Sequence, residues 1–422
     1  MAAAHLSRTA PPGVDIIVLD ADAAPDTDAL YGQVLPPEFY DFHLSLGTDE
    51  PELLQTTDTA FALGTALTNW GGHSWTQPFH LPLQSIDNVP LHTLVAQEPR
   101  VSLQPFLVSA VAARAGRFAH PPEDAGNPLS RAEYGYIFDP VELTAFYRAA
   151  ATRVEMANGE VEADFHIRTA APESGDTTFR AKLTRTPAKS TEHPMRKLAA
   201  TLDGWQSEAV TRTTRLRMEV GTNIGGGSSF HPHSNPEPWQ GDTVRIGHAA
   251  RVVDPLTVAP IRLLLRDLQR LADLFPLTAD TAVEAREFNR VAADDTEHAD
   301  IFHRAHFSGV DLPGSGYHQH FSTPPSPKLA RKLTQYEARA YLVSYDHEPF
   351  DALDWAVLHD GLRRKPRRHD TLAMGADGNN VRSALGELHT GVEAVVRKMP
   401  PHPIYLGKLL AYLERKGKAN VG

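Results

Sequence analysis

Two H-x-H pairs are the residues whose types and spacing most suggest chemistry: His231 and His233 in "FHPHS", and His318 and His320 in "YHQHF". On a strand, residues i and i+2 share a face, so such a pair can hold one ion through two imidazoles. His298, His303 and His306 lie between the pairs, and Asp294, Asp295 and Glu297 offer carboxylates that a hard or borderline metal accepts. Neither pair sits in a longer metal signature such as H-E-x-x-H. The chain also has 21 histidines in 422 residues, so close pairs arise from composition alone.

The second pair lies in "GSGYHQHFS", Gly314 to Ser322, which resembles one segment of the glutamine-synthetase family: a glycine-rich turn, H-x-H, then serine. In that family the segment lies near the nucleotide and ammonium-acceptor sites. The resemblance stops at these nine residues. The family's paired glutamates and its arginine cluster after the histidines have no counterpart here, and Glu219 in "RMEVG" is a single acid where several must hold divalent ions.

Other chemistry is thinner. "GTNIGGGSS", Gly221 to Ser229, offers backbone N–H groups to an anion but matches neither G-x-x-x-x-G-K-[ST] nor G-x-G-x-x-G, so it reads as a flexible connection. "DDTEHAD", Asp294 to Asp300, resembles an aspartate-rich metal-diphosphate motif that nothing downstream completes. No G-x-S-x-G elbow marks a nucleophile. Arg363, Arg364, Lys365, Arg367 and Arg368 form the one clear charge run, an anion-facing or nucleic-acid-facing candidate. The same run also suits a solvated helix end, where cations complement the dipole and Pro366 stops the helix.

Composition bounds these readings. The chain has no cysteine, which excludes disulfides, zinc-thiolate sites, iron–sulfur clusters and cysteine nucleophiles. A formal net charge of −11 argues against a dedicated nucleic-acid binder. The N-terminal segment has no apolar core of signal-peptide length, and no later run approaches a membrane span, so a cytoplasmic or virion location is expected. The 33 prolines predict many shaped loops.

The elements that must position these residues follow from periodicity. Val14 to Asp20 reads as a strand and Glu50 to Trp70 as a helix, while Arg100 to Phe118 is apolar without a deciding period. Asp139 and Pro140 cap and start a helix that should close at Asn158-Gly159. The alternating runs "EVEADFHIR" and "TFRAKLTR", joined by nine turn-type residues, predict a two-stranded antiparallel ribbon. From Asp254 and Pro255 a strong amphipathic helix runs to Phe275, with Ile261, Leu264, Leu265, Leu268 and Leu271 on one face and Arg262, Arg266 and Arg270 on the other. Pro260 could move its start a few residues later. Further helices are expected at 328–345, 352–363, 379–398 and 403–416. No βαβ alternation is visible, so a doubly wound nucleotide fold is not expected.

The sum is a mainly helical α+β protein with a two-stranded antiparallel ribbon and long proline-rich loops. Three regions are expected: an irregular 1–138, a helix-plus-ribbon 139–254 with the Gly-rich loop, and a helical 255–422. With no catalytic signature complete, the leading expectation is a structural, self-assembling protein, concretely a viral capsid subunit around double-stranded nucleic acid. It would pair with itself in a large homo-oligomer, touch nucleic acid weakly, and need no cofactor. The alternative is a cytoplasmic enzyme with a divalent metal or haem held by His231, His233, His318 and His320.

Overall fold

The computed structural model describes residues 1–19, 27–79, 85–98, 100–152, 154–157, 161–169, 179–189, 192–314, 316–368 and 370–421. Its centre is a seven-stranded mixed sheet. The strand order is Ser228–Phe230, Phe179–Pro187, Thr214–Gly221, Gly204–Val210, Arg196–Thr201, Gly64–Trp70 and His73–Pro78. Neighbours run antiparallel except Arg196–Thr201, which pairs in parallel with Gly64–Trp70 through Leu198↔Leu67. Alternation along the strands aims Ala181 and Leu183, Leu216, Met218 and Val220, and Trp205 and Ala209 at the core.

This sheet corrects the expected fold class. The run from Phe179 does form a strand, but its partners are Thr214–Gly221 and Ser228–Phe230, not the run before it. That earlier run contributes His166–Arg168, which pairs in parallel with Thr243–Arg245. The turn-type residues between them, 170–178, lie outside the described residues. Alternation found the strand from Phe179 but overstated the earlier run, of which only His166–Arg168 is a strand among the described residues, and it carries no information about which strand each one meets.

The helix expected through Trp70 is also corrected. It stops at Thr56, and Gly64–Trp70 turns back through Gly71 and Gly72 into His73–Pro78. Both glycines hold positive φ, 56° and 81°, as a tight hairpin demands. The Gly-Gly pair between two alternating runs was the available signal.

Fourteen helices surround the strands among the described residues. In the first third are α1 (Ala2–Thr9), α2 (Glu38–Ser45), α3 (Glu50–Thr56), α4 (Leu91–Gln97) and α5 (Val108–Arg114). Next come α6 (Pro140–Ala150), α7 (Ala259–Asp273) and α8 (Ala282–Ala305). The last third has α9 (Gly316–Phe321), α10 (Pro327–Arg339), α11 (Ala352–Gly361), α12 (Thr371–Met374), α13 (Gly378–Lys398) and α14 (His402–Val421). Asp139 caps α6 as expected, with Oδ1 accepting from Val141 N at 2.9 Å. However, α6 ends at Ala150, and Val154–Ala157 becomes a strand parallel to Ile16–Leu19.

Helix α7 starts four residues past Pro255, yet it buries the expected face from Ile261 to Leu271. Its opposite side is not left to solvent. Arg262 is 8 % exposed, donates from Nη1 to Pro349 O at 2.6 Å, and pairs with Glu38 at 2.9 Å. Helix α8, 24 residues long, packs against α7 and was not expected from the sequence. Its buried stripe is Phe288, Ala292, Asp295, Ala299 and Phe302, at spacings of a helix face but with few large apolar side chains. Asp295 completes that stripe by pairing with Arg266 at 2.6 Å and with Arg270. Among the described residues, no helix is long and apolar enough to cross a membrane.

Candidate functional site

The most chemically loaded place in the fold lies where α3, the loop after α5, the strand Gly135–Ile137 and α14 converge. Asp49 caps α3, accepting from Glu52 N at 2.8 Å, and this sets Glu50 on the first turn. The Glu50 carboxylate accepts from Tyr134 at 2.8 Å, from Tyr136 at 2.6 Å, and from His120 Nε2 at 2.8 Å. The other ring nitrogen of His120 lies 2.6 Å from the Tyr405 hydroxyl. Phe61 and Phe118 stack with centroids 4.2 Å apart and close the cluster on the apolar side.

Burial pushes the Glu50 carboxyl up, but the His120, Tyr136 and Tyr134 hydrogen bonds outweigh it and hold the group below the usual carboxylate range. The same burial, with the Glu50 charge beside them, pushes the Tyr134 and Tyr136 phenols well above theirs. The result is an ionised carboxylate ringed by hydrogen-bond donors. His120 Nε2–H donates to it, and the other ring nitrogen faces the Tyr405 hydroxyl.

His120 and Tyr134 also wall a cavity of about 350 Å³, floored by Leu63, Val108, Ala112 and Met399. A second cavity of about 340 Å³ adjoins it, lined by Phe79, Leu91, Phe106, Leu388 and Val392. Val108, Ser109, Asn127 and Leu129 line both. Concave, mainly apolar spaces of this size with a few convergent polar groups are where small ligands sit. Sequence reasoning missed this site. Glu50, His120, Tyr134, Tyr136 and Tyr405 are scattered along the chain, and only the strand pairing of Gly135–Ile137 with Ala60–Ala62 and the packing of α14 on α3 gather them.

The histidine pairs come out differently. "GYHQHF" is helix α9, not a strand or turn, so residues i and i+2 diverge instead of sharing a face. His318 is buried, with Nδ1 2.6 Å from Pro313 O and Nε2 2.8 Å from Gly204 O, so carbonyl oxygens engage both nitrogens. His320 instead lays its ring near Phe179, at 5.3 Å, and Phe321, at 4.8 Å. His233 does lie on a short strand, but its Nδ1 is 2.9 Å from His231 O and His231 is exposed. Among the described residues no three His, Asp or Glu side chains converge on a metal position. Of the intervening carboxylates, Asp294 pairs with Arg290, Asp295 with Arg266 and Arg270, and Glu297 with Lys328.

The basic run is largely built into the fold. Arg364 donates to Ala305 O at 2.8 Å and to Ser308 O, and burial lowers its pKa to about 10. Lys365 reaches the carbonyls of Val95, Glu98 and Val101 at 3.4, 3.3 and 3.2 Å, tying down the end of α4. Arg367 pairs with Glu337 at 3.2 Å. Arg363 and Arg368 stand exposed.

Comparison with known proteins places this architecture. The family model described as tryptophan halogenase matches residues 1–169 and 182–377, and the chain belongs to that family. Among solved structures, BrvH, a flavin-dependent halogenase from Brevundimonas sp. BAL3, superposes with a TM-score of 0.84 at 19% identity, covering 98% of this chain and 96% of that one. Xcc4156, a flavin-dependent halogenase from Xanthomonas campestris, gives 0.85 at 18% identity, covering 96% and 95%. Tar14, a tryptophan C-6 flavin-dependent halogenase from taromycin biosynthesis, gives 0.84 at 14% identity, covering 98% and 97%. No curated protein matches by sequence.

These findings overturn the capsid reading, with its large homo-oligomer and enclosed nucleic acid, and the metal or haem alternative. They also overturn the expectation of no cofactor, since BrvH, Xcc4156 and Tar14 are flavin-dependent halogenases. Among the described residues, the parallel strand pair Ile16–Leu19 and Val154–Ala157, packed on α1, has the strand-and-helix character that a nucleotide cofactor uses. The Gly225–Gly227 run lies instead in the connection between two strands of the large sheet.

Proposed function

We propose that this chain is a flavin-dependent halogenase that acts on a small aromatic compound held in the double cavity beside Glu50 and His120. The observation that carries the reading is the family match over 1–169 and 182–377, a span containing all of the cavity walls except those from α13 and the residues just after it. The walls suit the substrate class: Phe79 and Phe106 offer ring faces, while His120 and Tyr134 supply a polar side fixed by the buried Glu50 carboxylate. Halogenation exchanges an aromatic C–H for a C–halogen bond, a two-electron oxidation of halide and substrate for which dioxygen would be the oxidant and the family's reduced flavin would supply the redox chemistry when bound. This chain's residues would seat and orient the ring and keep bulk water from it. A cytoplasmic setting, where a reductase keeps flavin reduced, belongs to the same proposal.

The test is an incubation of the purified chain with FAD, a flavin reductase, NADH, bromide or chloride, and a panel of indoles and phenols. Mass spectrometry should show a mono-halogenated product whose yield falls when Phe106 is changed to Ala. No halogenated product from any member, in aerated buffer with NADH consumed and flavin cycling, would sink the proposal.

A further inference from the structure

The cleft holds more than one aromatic ring needs. An apolar cavity of about 150 Å³ is already enough for benzene. Each lobe, at about 340 and 350 Å³, therefore has room for a fused two-ring aromatic by itself. The lobes meet at the first turn of α5 and the 3-10 turn Pro128–Arg131, with Val108, Ser109, Asn127 and Leu129 common to both. Their characters differ. One is walled by Phe79, Phe106 and Leu388, while the other has His120 and Tyr134 along one side.

The junction carries polar groups that the fold leaves to the cleft. Ser109 is 6 % exposed, and among the described residues its hydroxyl has no hydrogen-bond partner, although it lines both lobes. Asn127 spends its Oδ1 on Leu129 N at 3.0 Å, and its NH2 group has no acceptor among the described residues. The Ser109 hydroxyl and the half-buried Asn127 NH2 thus place two donors within reach of a ligand's acceptor at the meeting point of two largely apolar lobes.

Resting on the aromatic-substrate reading above, we propose that the ligand is a two-part molecule: an aryl group joined through a short carbonyl-bearing link, an amide or ester, to a second apolar group of similar size. One part fills each lobe, and the link's oxygen accepts from Ser109 and Asn127.

Binding measured by titration calorimetry, without flavin, separates this inference from the reading it rests on. The probes are indole, tryptophan and N-benzoyltryptamine, whose phenyl and indole groups flank an amide. N-benzoyltryptamine should bind on the order of 100-fold more tightly than indole, the gain expected from about ten further well-seated atoms. Ser109→Ala should shrink that ratio several-fold, and Ser109→Phe, which fills the junction, should erase it; a thermal melt shows that each variant is folded. If indole and N-benzoyltryptamine bind equally well, or the ratio is unmoved by both substitutions, the two-part ligand is wrong while the aromatic cleft stands. If no probe binds, both fall.

Discussion

His120 Nε2 lies 2.8 Å from Glu50 Oε1 and joins two segments 70 residues apart along the wall of the cleft. The pair works in one direction: the carboxylate is ionised because its neighbours are donors, and the donors are fixed because the carboxylate is ionised. Glu50→Ala should therefore cost about 3 kcal/mol, the usual penalty for orphaning a buried charge-assisted network. Glu50→Gln should cost less. Because the folded-state pKa lies below the ordinary 4.5, this stability is complete above that value and is lost as the pH falls below it and through the folded-state pKa. Urea denaturation at pH 7 and pH 4 checks the sign: wild type should lose more stability on acidification than Glu50→Gln, and equal losses would contradict the assignment.

His306 supplies a second acid-sensitive component. It is fully buried, its Nδ1 lies 3.0 Å from Phe302 O, and burial lowers its pKa to about 4. The unfolded chain takes up a proton near 6.5, the folded one only near 4, so stability is full above 6.5 and drains away as the pH drops between the two. The gap corresponds to about 3 kcal/mol at most. His306→Gln should flatten the stability profile across that interval; an unchanged slope would show that His306 is not the titrating group.

The parts of this molecule that were legible in the sequence are the ones with local chemistry. Asp139 and Pro140 announced α6, and the leucine face from Ile261 announced α7, because caps and 3.6-residue stripes are read within one element. Helix α8 stayed hidden because the middle of its buried stripe, between Phe288 and Phe302, is two alanines and Asp295, and the aspartate becomes part of a core face only against Arg266 and Arg270 of α7. The seven-stranded sheet was hidden for another reason. Its parallel contact joins Gly64–Trp70 to Arg196–Thr201, and no local pattern encodes a partner that distant. The cleft followed the sheet: Glu50 reads as an ordinary first-turn acid until Tyr134, Tyr136 and His120 are folded onto it.

His318 gives a test that distinguishes a structural histidine from a ligand. Its two nitrogens bridge Pro313 O and Gly204 O, tying α9 to a strand of the large sheet. His318→Ala removes both contacts and should lower stability by about 2 kcal/mol. Exhaustive dialysis against EDTA should leave the wild-type melting temperature unchanged. A melting temperature that falls on chelation and recovers with added zinc would reverse this assignment.

The buried trio of Asp254, Trp205 and Tyr317 should titrate in the opposite sense to His306. Trp205 Nε1 donates to Asp254 Oδ1 at 3.1 Å and to the Tyr317 hydroxyl at 2.8 Å, and that hydroxyl donates to Asp254 Oδ2 at 2.7 Å. Burial raises the Asp254 carboxyl to about 6 despite these donors and the nearby Arg196. The folded chain thus binds more protons than the unfolded one between 3.8 and 6, so this contribution to stability declines as the pH rises through that window. Tyr317→Phe deletes one donor to the carboxylate and one acceptor for Trp205, at a cost of about 2 kcal/mol near neutral pH. It should also raise the Asp254 pKa further, because the ionised form loses more than the neutral one. The cost of Tyr317→Phe, measured by urea unfolding, should therefore be smaller at pH 5 than at pH 8. A cost independent of pH would mean that the hydroxyl packs against Asp254 without stabilising its charge.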